Sequence, residues 1–480
     1  MKRTIKYFLV VLSAIATAYL IAIALLLLQA NFIKNDIASL FHAIESGATV
    51  ASQEKLTSKI DHEISRTANV LNSPFFHPIV RHYMPAPNAE FFLMRTLIKL
   101  APTVLGSEAP KKYLIVFQNS AEARGTGGII GAFAEIEISR GKITILRQGS
   151  NAGLQSLNDI PITMPSEYAN VYGSDPAIWQ NSNMSPHFPY AAKIWSALWQ
   201  KQFNEKLDGV IATDPTALSY VLRATGPITL ASGEKISANN VVEKTLSTAY
   251  QRFATDNDAR KEYLVEVMKT VMQQLINGGY SKLTFAREVQ TPLRDRRILF
   301  ALSNPRDQSS LLPTIISGNL DNKANNEFRA VIQNISGNKL DYYLRKETHI
   351  QSKACSSPLQ TTISVTITNT LRNFSSLPDY VKGRLDLNQP HGINGRHGFT
   401  VMIYGPTAAE AISVIRSDAG QEGPALAQER GRPIAVFNAD LAPMASETYT
   451  VTFAGGTGHI GYVKQALVIP EQISIQDGCR

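Results

Sequence analysis

A glycine-rich stretch and the arginines around it are where this chain can do chemistry. In "NSAEARGTGGIIGAF" (residues 119–133), Asn119, Glu122 and Arg124 precede glycines at 125, 127, 128 and 131. Guanidinium groups converging with the backbone N–H groups of a glycine turn form a donor set suited to phosphate. Arg147 ends "KITILR" (142–147), and a hairpin through "SRG" would bring it to the same sheet edge as Arg124. "YQRFATDNDARKEYL" adds Arg252 and Arg260, the latter in the first turn of a long helix. A cation at that end opposes the helix dipole unless an anion lies beside it. Asp256, Asp258 or Glu262 would satisfy that need as well as a ligand would. The expectation to test is one pocket, floored by Gly125 to Gly128, on which Arg124, Arg147 and Arg260 converge.

The elements that must position these residues read as strands alternating with helices. "YLIVF" (113–117) is a short apolar run expected of a buried strand, and "IIGAFAEIEI" and "KITILR" flank a hairpin turn at Gly141. "PYAAKIWSALWQKQF" sets Ala191, Ile194, Trp195, Leu198 and Trp199 on one helical face. "DGVIAT" is a further strand, after which Asp214 and Pro215 supply an N-cap and first-turn proline for a helix stopped at Gly226. Residues 106–335 are therefore expected to form an α/β sandwich. Before it, residues 30–105 carry apolar residues at helical spacing and read as a helical stalk. After it, residues 340–480 alternate in strand fashion, as in "TTISVTITNT", between Gly, Pro and Asn turns. That pattern predicts an immunoglobulin-like β-sandwich.

The first thirty residues set the expected compartment. Lys2, Arg3 and Lys6 precede residues 7–29, a run without a charge that is long enough to cross a bilayer. This predicts a single-pass membrane protein with residues 1–6 cytoplasmic and the bulk outside the cytoplasm. The two cysteines, Cys355 and Cys479, would then sit in an oxidising compartment at the two ends of the β-rich tail, where a disulfide is expected. With 44% hydrophobic and 18% charged residues the chain is not disordered. Its net charge of +8, spread without dense Lys/Arg runs, fits lipid headgroups or an acidic polymer and argues against nucleic acid. Gly456 to Gly461 fits G-x-G-x-x-G, but a strand-like segment follows where a dinucleotide fold needs a helix.

"YLIVFQNSAEARGTGGIIGAF", "NSNMSPHFPYAAKIWSALW" and "LDGVIATDPTALSYVLRATGPITL" closely resemble the signature of the bacterial domain-of-unknown-function family 4012. The order of parts is also similar, more distantly, to the LytR-CpsA-Psr family of cell-wall glycopolymer transferases. That second resemblance implies a polyprenyl-diphosphate-linked glycan or wall polymer as ligand, bound outside a membrane anchor. It also implies magnesium as a cofactor. On this reading Glu122, Arg124, Arg147 and Arg260 carry phosphoryl transfer, with Glu122 or Asp159 as metal ligand or base. Asn119, Gly127, Gly128 and Arg252 contact the ligand. The acid that the distant family places just after its first arginine is replaced here by Gly125-Thr126-Gly127-Gly128. The alternative is a non-catalytic envelope protein that binds an anionic lipid or glycan.

Overall fold

The computed structural model describes residues 30–73, 87–324, 326–352, 359–417, 424–456 and 458–478. The expected membrane span, residues 7–29, and both cysteines, Cys355 and Cys479, lie outside the described residues. Among the described residues no helix is long and apolar enough to cross a membrane. The fold is mixed α/β with several sheets, and the chain divides into two compact units.

The first unit holds the N-terminal helices, through residue 111, and the hairpin tip at residues 137–144. Thr49 caps the helix Val50–Leu71 through the amide of Ser52, and a second helix spans Pro87–Val104. Leu40 and Ile44 with Ile60 and Ile64, each pair four residues apart, meet Phe91 and Ile98 to form its core. Asp61 accepts from Arg95 at 2.6 Å and pairs with Lys99 at 3.1 Å. The hairpin turn expected at Gly141 is present, as a two-residue turn. Arg140 and Gly141 are both left-handed (φ 48° and 76°), which matches the twist of the strands they join.

The second unit begins with a five-stranded sheet. Its strands are β1 (Lys111–Arg124), β2 (Gly127–Ser139), β3 (Lys142–Ser150), β4 (Gly209–Thr213) and, after a small hairpin of β5 (Ile228–Thr229) and β6 (Lys235–Ile236), β7 (Leu299–Leu302). The order is β3-β2-β1-β4-β7, with β1 and β4 parallel, Tyr113 opposite Gly209, and β7 antiparallel to β4. Helix Phe188–Phe203 packs Ile194, Trp195 and Leu198 against Leu114 and Val116 of β1. Phe117 of the same strand joins the core of helices Pro215–Thr225 and Asn257–Asn277 instead. Helices thus cover both faces. Asp214 caps the first of these helices through the amide of Ala217 at 2.7 Å.

Two further five-stranded sheets follow. Their strands are β8 (Glu327–Asn334), β9 (Leu344–Ser352), β10 (Gln360–Asn369), β11 (His397–Tyr404), β12 (Glu410–Arg416), β13 (Ala425–Glu429), β14 (Arg432–Leu441), β15 (Ser446–Ala454), β16 (Gly461–Val463) and β17 (Gln472–Gln476). The orders are β12-β15-β10-β9-β17 and β13-β14-β11-β8-β16. Ile363, Val365 and Ile367 of β10 meet Phe328, Ala330 and Ile332 of β8 in a shared core, so the sheets form a sandwich. β8 pairs with β11, with Phe399 opposite Asn334, so the sandwich starts at Glu327 rather than at residue 340. Tyr404 and Ile434 also join the core that holds Trp195 and Trp199, which makes the α/β part and the sandwich one continuous body. The Gly456 to Gly461 stretch lies between β15 and β16, where no helix follows.

Candidate functional site

Helices Pro215–Thr225 and Asn257–Asn277 stand off the sheet far enough to leave a pocket between them and the strands. Phe117 and Ile129 from the strands, Leu218 from the first helix, and Leu264, Val267 and Met268 from the second give it apolar walls. At its polar end stand Asn119, Tyr250, Arg260, Lys339 and Tyr380. A π-helical turn, Lys244–Thr248, runs immediately before Tyr250 and brings Thr245 and Leu246 to the wall. Such turns often accompany functional sites because they widen the helix by one residue.

Arg260 is buried, and its guanidinium lies 3.9 Å from the ring centroid of Tyr380 and 4.5 Å from that of Tyr250. Its one hydrogen-bond partner among the described residues is the side-chain oxygen of Asn257. None of Asp256, Asp258 and Glu262 pairs with it: Asp256 caps the helix through the amide of Ala259, and Asp258 pairs with Lys261. The ammonium of Lys339 lies 5.0 Å from the Tyr380 ring and pairs with the buried carboxylate of Glu122. Burial works against the charge on Lys339, but the charge of Glu122, helped by Tyr380 and Tyr250, outweighs it and holds the ammonium above its ordinary value. Burial raises the phenol of Tyr250, with Lys339 and Arg260 partly opposing, so it stays protonated. Asn119 donates to its hydroxyl oxygen at 2.6 Å. The result is a greasy slot with two cations, two phenols and a carboxamide at one end.

The structure brings together some of the residues expected at the site and separates others. Asn119 and Arg260 line the pocket. Glu122 and Arg124 stand behind it as part of a buried chain of contacts. Arg124 is 3.6 Å from Glu122 and donates to the carbonyl of Asn334 at 2.8 Å and to the side chain of Asn181 at 2.9 Å. Arg147 is elsewhere. It pairs with Glu135 at 2.8 Å and Glu205 at 3.3 Å and covers the rings of Phe203 and Trp199. Burial, and then the nearby Glu205, push the Glu135 carboxyl up, and Arg147 bridges the two acids. Arg252 pairs with Glu234 at 2.8 Å on the surface, and Asp159 is exposed. The three arginines therefore do not share one pocket, because carboxylates claim Arg124 and Arg147.

The glycine turn has a different task from the one expected. A Cβ on Gly128 would lie 2.1 Å from the carbonyl oxygen of Asn119, and one on Gly125 would lie 2.1 Å from that of Met184. Gly127 has a φ of 140°, and its Cα faces the carboxamide of Gln118. That carboxamide accepts from Thr126 at 2.8 Å and from Asn183 at 2.9 Å, while Asn183 also donates to the carbonyl of Gly128 at 2.8 Å. The bare backbone admits the protein's own amides. Two of the stretches that carry the family resemblance are thus one packing unit, locked by Gln118 and Asn183.

Lys339, Tyr250 and Tyr380 were not legible as site residues. Lys339 lies in a turn before Leu340–Tyr343, and Tyr380 in the short helix Asp379–Lys382, both far from the glycine stretch in sequence. Among the described residues no group of three or more His, Cys, Asp or Glu could hold a metal ion. Glu122 is engaged by Lys339 and Arg124, so the residues present do not fit the magnesium site that the distant resemblance implies.

Residues 108–250 match the model of a family described as a protein of unknown function, DUF4012, which supports that family for this chain. No curated protein matches. Among solved structures the chain is similar to protein gbs0355 from Streptococcus agalactiae, at 15% identity and a TM-score of 0.25, covering 44% of this chain and 74% of that one. A structure described as transcriptional regulator EF0465 from Enterococcus faecalis matches at 14% identity and a TM-score of 0.24, covering 44% and 72%. The Lin1025 protein from Listeria innocua matches at 13% and 0.23, covering 47% and 85%. Likeness at these TM-scores carries no argument about fold or activity.

Proposed function

We propose that the α/β part binds the phosphate or diphosphate end of a polyprenyl lipid carrier in envelope or exopolysaccharide assembly. The isoprenoid chain would lie along Phe117, Leu218 and Val267, and the phosphate would meet Arg260, Lys339 and the Tyr250 hydroxyl. One observation carries the reading: an apolar slot ends at a buried arginine that, among the described residues, pairs with no carboxylate. Buried charges in proteins are normally paired, and an anionic ligand would supply the missing partner. The uncharged run at residues 7–29 adds a membrane anchor, with the bulk of the chain outside the cytoplasm.

Holding the lipid is favoured over turning it over. A base or metal ligand must be free to act, and Glu122 is already salt-bridged to Lys339 and Arg124. The resemblance to the LytR-CpsA-Psr transferases keeps phosphoryl transfer as the second reading, with Glu122, paired to Lys339 of the pocket, as its acid.

The test is binding of polyprenyl phosphate, and of the matching uncharged polyprenol, to the full chain in detergent. Each charge-assisted contact should contribute roughly 1.5–3 kcal/mol. Arg260→Ala and Lys339→Ala should each weaken phosphate binding at least tenfold and leave polyprenol binding unchanged. Equal affinity for the alcohol and the phosphate, or variants that bind like the parent, would overturn the reading. Glycan transfer from a labelled diphosphate carrier, abolished by Glu122→Gln, would favour turnover.

A further inference from the structure

A second concentration of positive charge lies where the α/β part meets the sandwich, and nothing above uses it. Glu327 and Arg329 sit on β8, Arg432 opens β14, and Arg296 follows the helix Lys282–Arg294 in a left-handed conformation, φ 54°. The carboxylate of Glu327 accepts from Arg329 at 3.0 Å and from Arg432 at 2.8 Å. The other hydrogen bonds of those two arginines go to carbonyls: Arg329 donates to that of Asn319 at 2.5 Å, and Arg432 to that of Gly405 at 2.9 Å and to that of Glu327.

Arg296 has nothing of the kind. Among the described residues its guanidinium makes no hydrogen bond and no ion pair. It instead lines a small pocket with Arg329, Lys464, Gln465, Gly125 and Thr126. Burial, and after it the charge of Arg329, lower its pKa to about 9. Three guanidiniums thus share one carboxylate, and the fourth cation, Lys464, stands exposed at the rim. Positive charge held out of water in this surplus needs a counter-charge, and among the described residues no second acid lines the pocket.

We infer that this pocket binds a small inorganic anion, clamped between Arg296, Arg329 and Lys464. Those residues come from the segment before β7, from β8 and from the segment after β16, so the anion would join the α/β part to the sandwich. Its neighbours Gly125 and Thr126 are the far side of the glycine turn, which the lipid pocket does not reach. The site is independent of the lipid reading.

Thermal unfolding of the full chain in detergent tests it. Sodium phosphate is titrated at constant ionic strength against a bulky organic salt, with a chloride series in parallel. The parent should show a saturable rise, roughly 3 °C at a hundredfold excess over Kd. Phosphate acting alone identifies an oxyanion, and chloride acting equally identifies a monatomic one. Arg296→Gln should abolish the rise and start from a melting temperature no lower than that of the anion-free parent. Lys464→Gln, at an exposed position, should weaken apparent affinity several-fold even if the first variant folds poorly. Arg260→Ala should respond like the parent. A non-saturable rise, or one that survives both Arg296→Gln and Lys464→Gln, would overturn the site.

Discussion

Arg124 and Arg260 are both buried, both belong to the α/β part, and have opposite electrostatic settings. Arg124 has a carboxylate, three carbonyls and a carboxamide around it, and its role is to hold strand β1 to β8 and to the Gln180–Asn181 turn. Arg260 has two aromatic rings and a single carboxamide, and faces an apolar slot. Burial alone does not separate a structural arginine from a binding one. The supply of acceptors does, because a guanidinium with five donors and one partner keeps most of its hydrogen-bonding capacity for a ligand.

The contrast can be broken or sharpened by substitution. The largest effect should follow Glu122→Ala, which leaves Lys339 and Arg124 buried without their shared counter-charge. A loss of about 3–5 kcal/mol in urea unfolding is expected. Arg124→Ala should cost roughly 3 kcal/mol, since it leaves the Asn334 carbonyl and the Glu122 carboxylate short of donors. If Arg124→Ala instead melts like the parent, the distinction between the two arginines fails.

Acid provides an independent probe of pairing. Burial works against the charge on Glu327, but Arg329 and Arg432, with Arg296, outweigh it and lower its pKa from 4.5 to about 2. A carboxyl with a depressed folded pKa contributes stability above its unfolded pKa and loses it as pH falls toward the folded one. The parent should therefore lose up to about 3 kcal/mol between pH 4.5 and pH 2, and Glu327→Gln should lack that part of the slope. Identical slopes in the two proteins would refute the pairing.

Arg147→Ala should cost about 1–2 kcal/mol: its own side chain is 36% exposed and partly screened, but its loss leaves the buried Glu135 carboxyl without its cation. Smallest of all is the expected effect of Arg260→Ala on stability without ligand, within about 0.5 kcal/mol. The stacking it loses is offset by relief of repulsion with Lys339. Under the proposed lipid reading, that variant should differ from the parent in polyprenyl-phosphate affinity alone.

Much of the architecture was legible because it rests on local patterns. The Asp214–Pro215 cap, the two-residue Arg140–Gly141 turn and the apolar face of Phe188–Phe203 are each settled within one stretch of chain. The start of the sandwich was not. Strand β8 buries Arg329, Gln333 and Asn334 beside its apolar residues, so it shows no clean alternation of polar and apolar positions. The site was half legible. Arg260 stood out because a helix start is a poor place for a cation, while the partners that distinguish it from Arg124 and Arg147 come from distant segments. The glycines misled for a related reason: sequence shows that the backbone is bare, but not whether a ligand or Asn183 fills the space.

Gln465 carries one more consequence. Its carboxamide donates to the carbonyl of Arg124, 341 residues earlier, at 3.0 Å, and to that of Ile332 at 2.7 Å. The glycine turn is thus completed by a residue synthesised long after it. Contacts of such separation close large loops and make folding slow. Until the segment after β16 arrives, β1 and β8 remain without this clasp, and the surfaces it covers are open to misassembly. Variants at Gln465 should show their defect first in yield and refolding rate, with the finished fold less affected.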